Sequence, residues 1–295
     1  MKFEEALTRM RAPRQMFVIC IDVTNKCDLA CSNCTRLLAN QEHLWEMTPE
    51  NFRLALQSLK GYWGIIAMIG GNPCMHSRFQ ELCAIFEEEI PNRLQRGIWT
   101  NNPFKHEELC KASFGTFNLN AHGEERAKPA LERMTTKARE DGAVVWTYMD
   151  NSIHAPLLTA GKDLYDEETM WEKISACDIN KEWSASIVQN ASGELMAYFC
   201  EVAASFDLAR GGSNGHPVVP GWWDQHLRAF KDQVAHFCPG CGVPAKQKPS
   251  QDNEEIDTYT ISNDDIAMKD PKRKVRHLPH DESEGRTVTR YGNLT

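Results

Sequence analysis

The chain has 295 residues, 41% hydrophobic and 25% charged, with a formal net charge of −8. That composition fits a globular protein with one barrel-sized domain, or a barrel with a small appendage, and its negative balance argues against a broad nucleic-acid surface. No apolar run approaches the roughly 20 residues of a membrane span. The opening MKFEEALTRMRAPRQM has acids where a signal peptide has an apolar core. Eleven cysteines without an export signal suit a reducing, cytoplasmic setting, where clustered thiols bind metal or do chemistry more often than they pair.

Residues 16–24, MFVICIDVT, are β-branched and apolar and read as a strand. It leads into CDLACSNC at 27–34, where Cys27, Cys31 and Cys34 are spaced C-x3-C-x2-C. Asp28, Ser32 and Asn33 make this a polar loop, so three core thiols account for it poorly. A zinc knuckle is open as a reading, but structural zinc takes four ligands and no further Cys or His completes a compact set; His43 is the nearest. A 4Fe–4S cluster held by three thiolates, with one iron left for a small molecule, accounts for the number three.

Thr48 and Pro49 suit the N-cap and first position of a helix over 48–59, with Phe52, Leu56 and Leu59 on one face. GIIAMIGGNP at 64–73 is a short apolar run ending in Gly70, Gly71, Asn72 and Pro73. Paired glycines allow a sharp turn and a close backbone approach to a ligand; an ordinary strand-to-loop turn would look the same. Residues 77–90 open with a Ser77/Gln80 capping box and continue at helical spacing through Phe79, Leu82, Cys83 and Phe86. Strands are expected over 96–102, 115–123 and 142–151, with a helix between the last two whose kink or start is marked by Pro129.

This alternation implies a parallel sheet curved around a site, and in such sheets reactive groups gather at the C-terminal strand ends. Thr100, Asn101 and Asn102, then Asn118, Asn120 and His122, then Tyr148, Asp150 and Asn151 stand there. Asn101, Asn120, His122 and Tyr148 are the preferred site residues, against the plain alternative of turn-forming loop residues.

Residues 182–189 and 194–200 read as a hairpin around NASG, with Gly193 taking the unusual backbone angle. Cys177 precedes the hairpin, Cys200 ends it, and Cys238 and Cys241 form C-x2-C within FCPGCG. Together they are four candidate ligands for zinc or an iron–sulfur cluster. Cys20, Cys74, Cys83 and Cys110 read as core thiols. Residues 222–234 read as a helix aligning Leu227, Phe230 and Val234. Beyond 246 the chain turns polar and is expected to pack loosely, or to drape over the barrel through Ile256, Tyr259, Ile261 and Val275. The expected division is 1–165 for the barrel core, 166–245 for the second cysteine region and 246–295 for the extension.

The C-x3-C-x2-C loop after an apolar strand, followed by the Gly-Gly-Asn-Pro turn, resembles the signature of the radical S-adenosylmethionine (SAM) superfamily. The resemblance implies an α/β fold, a partial (β/α)6 barrel with a small hairpin-containing region after it. It implies that Cys27, Cys31 and Cys34 hold a 4Fe–4S cluster whose open iron is chelated by SAM, and that the turn of Gly70, Gly71, Asn72 and Pro73 binds the SAM amino group. Asn72 stands where the family commonly has an acid, and its side-chain carbonyl can still accept a hydrogen bond. Asn33 stands where many members carry an aromatic residue near the adenine. Asn101 and Asn120 are further cofactor-binding candidates, and His122 and Tyr148 catalytic ones.

The tryptophan-bearing hairpin between cysteines, followed by a distant C-x2-C, resembles the auxiliary-cluster region of twitch and SPASM members. In layout it is similar to 2-deoxy-scyllo-inosamine dehydrogenase over residues 16–245. That implies one auxiliary 4Fe–4S cluster on Cys177, Cys200, Cys238 and Cys241. The implied activity is reductive cleavage of SAM to a 5′-deoxyadenosyl radical, which takes hydrogen from an unactivated C–H of a small-molecule or carrier-borne substrate. Alcohol oxidation through the auxiliary cluster is one outcome; epimerisation, isomerisation and peptide or nucleotide modification are others. A flavodoxin or ferredoxin is the implied reducing partner. The alternative of another class is a non-catalytic zinc or electron-transfer protein.

Overall fold

Val18–Thr24 (β1) is buried along its whole length, as a central strand covered on both faces should be. It belongs to a computed structural model that describes residues 1–251, apart from 30, 32, 42, 123, 124, 149–152, 155 and 247–249, together with 276–281 and 286–290. On one side β1 pairs in parallel with Ile65–Gly70 (β2). The sheet continues in parallel through Arg96–Thr100 (β3), Thr116–Asn120 (β4) and Val144–Tyr148 (β5). The helix Phe3–Arg9 (α1) precedes β1, and Pro49–Ser58 (α2), Phe79–Glu89 (α3), Glu107–Ser113 (α4) and Lys128–Glu140 (α5) connect the strands.

After β5 the chain passes through Ile153–His154 (β6) and the helices Gly161–Leu164 (α6), Glu167–Ser175 (α7) and Asp178–Glu182 (α8). It then returns to the other side of β1. Ser184–Gln189 (β7) lies parallel to β1 with Ser184 opposite Val18. Leu195–Tyr198 (β8) folds back antiparallel and is followed by His216–Pro217 (β9). The eight-stranded order is β5-β4-β3-β2-β1-β7-β8-β9. This is the expected α/β partial barrel: five parallel strands come from the strand–helix alternation, and a sixth, β7, is the first strand of the expected hairpin. Gly193 in its turn takes φ +86°.

The outer face of the sheet packs on the helices, where Phe52 on α2 meets Phe86 on α3 edge-on at 5.6 Å and Phe86 meets Phe114 at 5.9 Å. The inner face is smaller: Val18, Cys20, Ile65, Ala67 and Trp99, with Ile69, Trp146 and Trp183 against them. Residues two apart along a strand share a face, so Cys20 and Ala67, both small, leave room that the larger indoles partly fill.

Local expectations fared unevenly. Thr48 caps α2 by accepting from the Asn51 amide at 3.1 Å, and Pro129 falls in the first turn of α5 rather than kinking it. The Ser77/Gln80 capping box does not form; the Ser77 hydroxyl donates to Glu46 at 2.5 Å and α3 begins at Phe79. The helix expected over 222–234 is broken into the 3-10 turns Trp222–Asp224 and Leu227–Phe230, ahead of Lys231–Phe237 (α10). The helix between β8 and β9, Glu201–Leu208 (α9), went unread in the sequence. In the polar extension Ser250–Gln251 (β10) pairs with β6, and Arg276–Asp281 (β11) pairs antiparallel with Arg286–Arg290 (β12). That second pairing shifts register between Leu278 and Asp281, where Pro279 has no amide to donate. Ile256, Tyr259, Ile261 and Val275 lie outside the described residues.

Candidate metal and cofactor site

The cysteine loop leaves the C-terminal end of β1, and its start is stapled to the end of β2. The Gly71 amide donates to the Thr24 carbonyl at 2.7 Å and the Asn72 amide to the Lys26 carbonyl at 2.6 Å. A β-carbon on Gly71 would lie 2.0 Å from the Lys26 carbonyl oxygen, so only glycine permits this approach. Cys27, Cys31 and Cys34 then line one cleft together with Gly70, Gly71, Asn101, Asn118, Asn120 and His122. The structure thus brings the two sequence motifs and three of the four preferred strand-end residues to one place. Tyr148 ends β5 beside Asn120 in register, and its side chain lies outside the described residues, as do Asp150 and Asn151.

Asn72 and Pro73 are buried behind the cleft. The Asn72 side-chain oxygen accepts from the Cys74 amide at 3.1 Å and the Thr100 hydroxyl at 2.9 Å, while its amide group donates to the Asn102 carbonyl at 2.8 Å. Its side chain therefore organises the turn and ties it to the end of β3. Asn101 donates to the Asp28 carboxylate at 2.7 Å, joining the cysteine loop to the same strand end. Burial holds the Asp28 carboxyl above the usual carboxylate range, and the Asn101 hydrogen bond opposes that. Asn33 is buried with φ +52°, a conformation asparagine tolerates better than most residues, and accepts from the Leu157 amide at 3.2 Å. It serves the loop's backbone path. Of the remaining cysteines, Cys74 and Cys110 are buried with sulfurs 3.8 Å apart, and Cys20 and Cys83 are buried too.

Among the cleft residues not singled out from the sequence are Arg36, Glu201, Trp99 and Trp183. The two indoles meet edge-on at 6.3 Å, and the buried Trp99 Nε1 has no hydrogen-bond partner among the described residues. Arg36 and Glu201 are a buried ion pair. A charged residue two positions after Cys34 and another directly after Cys200 were the available signals.

The second cysteine set also converges. Cys177 and Cys200 stand at the N-caps of α8 and α9, Cys238 opens a 3-10 turn that Cys241 follows, and all four line one cavity. Its other walls are apolar, with Ile174, Ile179, Phe199 and Phe206 among them. Burial pushes all four thiols up, Cys200 to about 12, and for Cys200, Cys238 and Cys241 the neighbouring thiols add to the effect. Thiolates here need a cation to replace their protons. Among the described residues no group of three or more His, Cys, Asp or Glu is gathered as a single metal ion requires. A mononuclear zinc site draws each sulfur to about 2.3 Å from one ion, whereas in a 4Fe–4S cubane each thiolate meets a different iron, so the sulfurs stand around a volume. Four cysteines on the walls of one cavity are a donor set that either zinc or a 4Fe–4S cluster takes. Among the described residues no helix is long and apolar enough to cross a membrane.

No family model matches the chain, and no curated protein does. Among solved structures, BtrN in complex with AdoMet and 2-DOIA is similar at 16% identity and a TM-score of 0.48, over 86% of this chain and 98% of that one. SuiB of Streptococcus suis bound to S-adenosylmethionine is similar at 19% identity and a TM-score of 0.35, over 45% of this chain and 33% of that one. Methylornithine synthase (PylB) is similar at 16% identity and a TM-score of 0.33, over 49% of this chain and 48% of that one. These are likenesses at identities of 19% or less.

Proposed function

We propose that the chain is a radical SAM enzyme acting on a small-molecule or carrier-borne substrate in a reducing, cytoplasmic compartment. The observation that carries this reading is the junction of the two motifs: a three-cysteine loop hydrogen-bonded to a Gly-Gly turn, both facing one polar cleft at the C-terminal strand ends. When bound, a 4Fe–4S cluster and SAM supply the one-electron chemistry that splits SAM and yields the hydrogen-abstracting radical. Cys27, Cys31 and Cys34 would hold that cluster and, by their number, leave one iron for SAM. Gly70 and Gly71 present backbone close to the cysteine loop, where SAM's amino acid portion would lie. Asn101, Asn118, Asn120 and His122 offer hydrogen bonds to ribose or substrate, and Trp99 and Trp183 exclude water from one wall.

Cys177, Cys200, Cys238 and Cys241 would hold an auxiliary 4Fe–4S cluster with every iron ligated by protein. Such a site takes or passes an electron rather than binding substrate, which favours oxidation of an alcohol C–H over a redox-neutral rearrangement. A flavodoxin or ferredoxin would supply the reducing electron.

The test is anaerobic reconstitution of the full chain with iron and sulfide, followed by dithionite and SAM. About eight irons per chain, at four per cluster, and formation of 5′-deoxyadenosine are expected. Replacing Cys27, Cys31 and Cys34 together with Ala should abolish 5′-deoxyadenosine; continued formation would overturn the reading.

A further inference from the structure

The two cysteine cavities share a polar link. Arg36 lies two residues after Cys34, and Glu201 directly after Cys200. Both are buried, and both face the three-cysteine cleft. The Arg36 Nη2 donates to Glu201 Oε2 at 2.8 Å, and Nη1 reaches the Glu201 backbone carbonyl at 3.5 Å. The guanidinium is held from the other side by Asp22 on β1, its Nε 3.4 Å from Oδ1. Each carboxylate is held in turn: Asp22 accepts from the Ser186 hydroxyl at 2.6 Å, and Glu201 accepts from the Ser184 hydroxyl. Ser184 and Ser186 share the inner face of β7, the strand that joins the second cysteine region to the barrel.

Resting on the proposed function, we infer that Arg36 and Glu201 are positioning residues that couple the two cysteine sites. Three features carry this. A buried guanidinium–carboxylate hydrogen bond is short and directional, and removing one partner leaves an uncompensated buried charge. Only one residue separates each end from a cysteine or none does, so little chain is available to absorb a movement. The pair forms part of the cleft that SAM would fill, so filling it presses on the link. Displacement of the Cys34 end is therefore passed to Cys200 and the N-terminus of α9 through a contiguous packed path.

The experiment uses the full chain reconstituted with both clusters and reads the electron paramagnetic resonance signal and reduction potential of the auxiliary site, before and after SAM. In the wild type, SAM should shift the auxiliary site. Glu201→Leu removes the bridge while leaving Arg36 with Asp22; it should abolish the shift at full iron content. Glu201→Gln retains an acceptor for Arg36 and should restore part of it. Should Glu201→Leu fail to hold both clusters, Arg36→Lys, which keeps the charge but not the fork, should give a shift of reduced amplitude. A shift unchanged in these variants, or absent from a wild type that holds both clusters and cleaves SAM, overturns this inference and leaves the function standing. A wild type that assembles no cluster on its cysteines overturns the function, and the inference with it.

Discussion

At Gly71 a single hydrogen atom decides whether the two motifs meet. A side chain there would press its β-carbon on the Lys26 backbone, 2.0 Å from the oxygen and 2.5 Å from the carbon. Neither atom can swing away as a flexible side chain would. Gly71→Ala should cost about 3 kcal/mol, at the upper end of overpacking penalties, and should lower iron retention by moving the cysteine loop. Gly142 is the control: it has φ +71° with open space around a β-carbon. Gly142→Ala should then cost only the left-handed backbone penalty of about 1–2 kcal/mol and leave iron content unchanged. Urea unfolding and iron analysis of the two variants separate the effects. At this scale the sequence was most legible where chemistry and backbone freedom restrict the choice of residue, as at Cys27, Cys31, Cys34, Gly70 and Gly71. It was least legible for Arg36 and Glu201, whose meaning lies in a contact across 165 positions. Asn72 falls between: its type suggested a ligand contact, and its hydrogen bonds serve the turn.

Among the elements, α4 and α5 are tied by charge as well as by packing. Glu107, in the first turn of α4, accepts from Arg133 on α5 at 2.9 and 2.5 Å and from Lys111 at 2.6 Å. The Arg133 hydrogen bond, helped by Lys111, holds its carboxyl below the usual range, against the opposing effect of burial. A carboxyl depressed in the folded state contributes stability that is complete above its unfolded value and is lost as pH falls through its folded value. Arg133 is 58% exposed, so solvent largely screens the pair and its contribution is small. Arg133→Met should lower stability slightly at neutral pH and low salt. The gap to wild type should close as acid protonates Glu107, and thermal melts across the range check the sign. A gap that widens in acid would contradict it. The strands were legible because β-branched apolar runs end in Gly, Asn or Pro. The 222–234 segment was not: Leu227, Phe230 and Val234 are all buried as a helix would bury them, but successive 3-10 turns achieve the same burial.

For the whole molecule, the consequential feature is where the hairpin goes. Local pattern showed that 182–200 would turn back on itself, but not that β7 would lie along the free side of β1. That pairing depends on contacts separated by more than 160 residues, which no local periodicity encodes. It makes the second cysteine region part of the same sheet as the first and brings Glu201, directly after Cys200, to the three-cysteine cleft. It also separates the proposed tasks. The three-cysteine site opens onto a polar cleft, whereas the four-cysteine site is walled by apolar side chains. If the second site only accepts an electron, its removal should leave the first half-reaction intact. Replacing Cys177, Cys200, Cys238 and Cys241 with Ala puts small apolar groups into an apolar cavity, the mildest change available there. The variant should retain about four irons, the content of one cluster, and should still form 5′-deoxyadenosine under dithionite. It should fail to convert a substrate whose oxidation needs the second electron acceptor. Zinc bound at the four cysteines of the wild type, or eight irons retained in the variant, would refute the assignment. Undiminished product formation by a variant holding one cluster would instead exclude the electron-accepting role and favour a redox-neutral reaction at the first site.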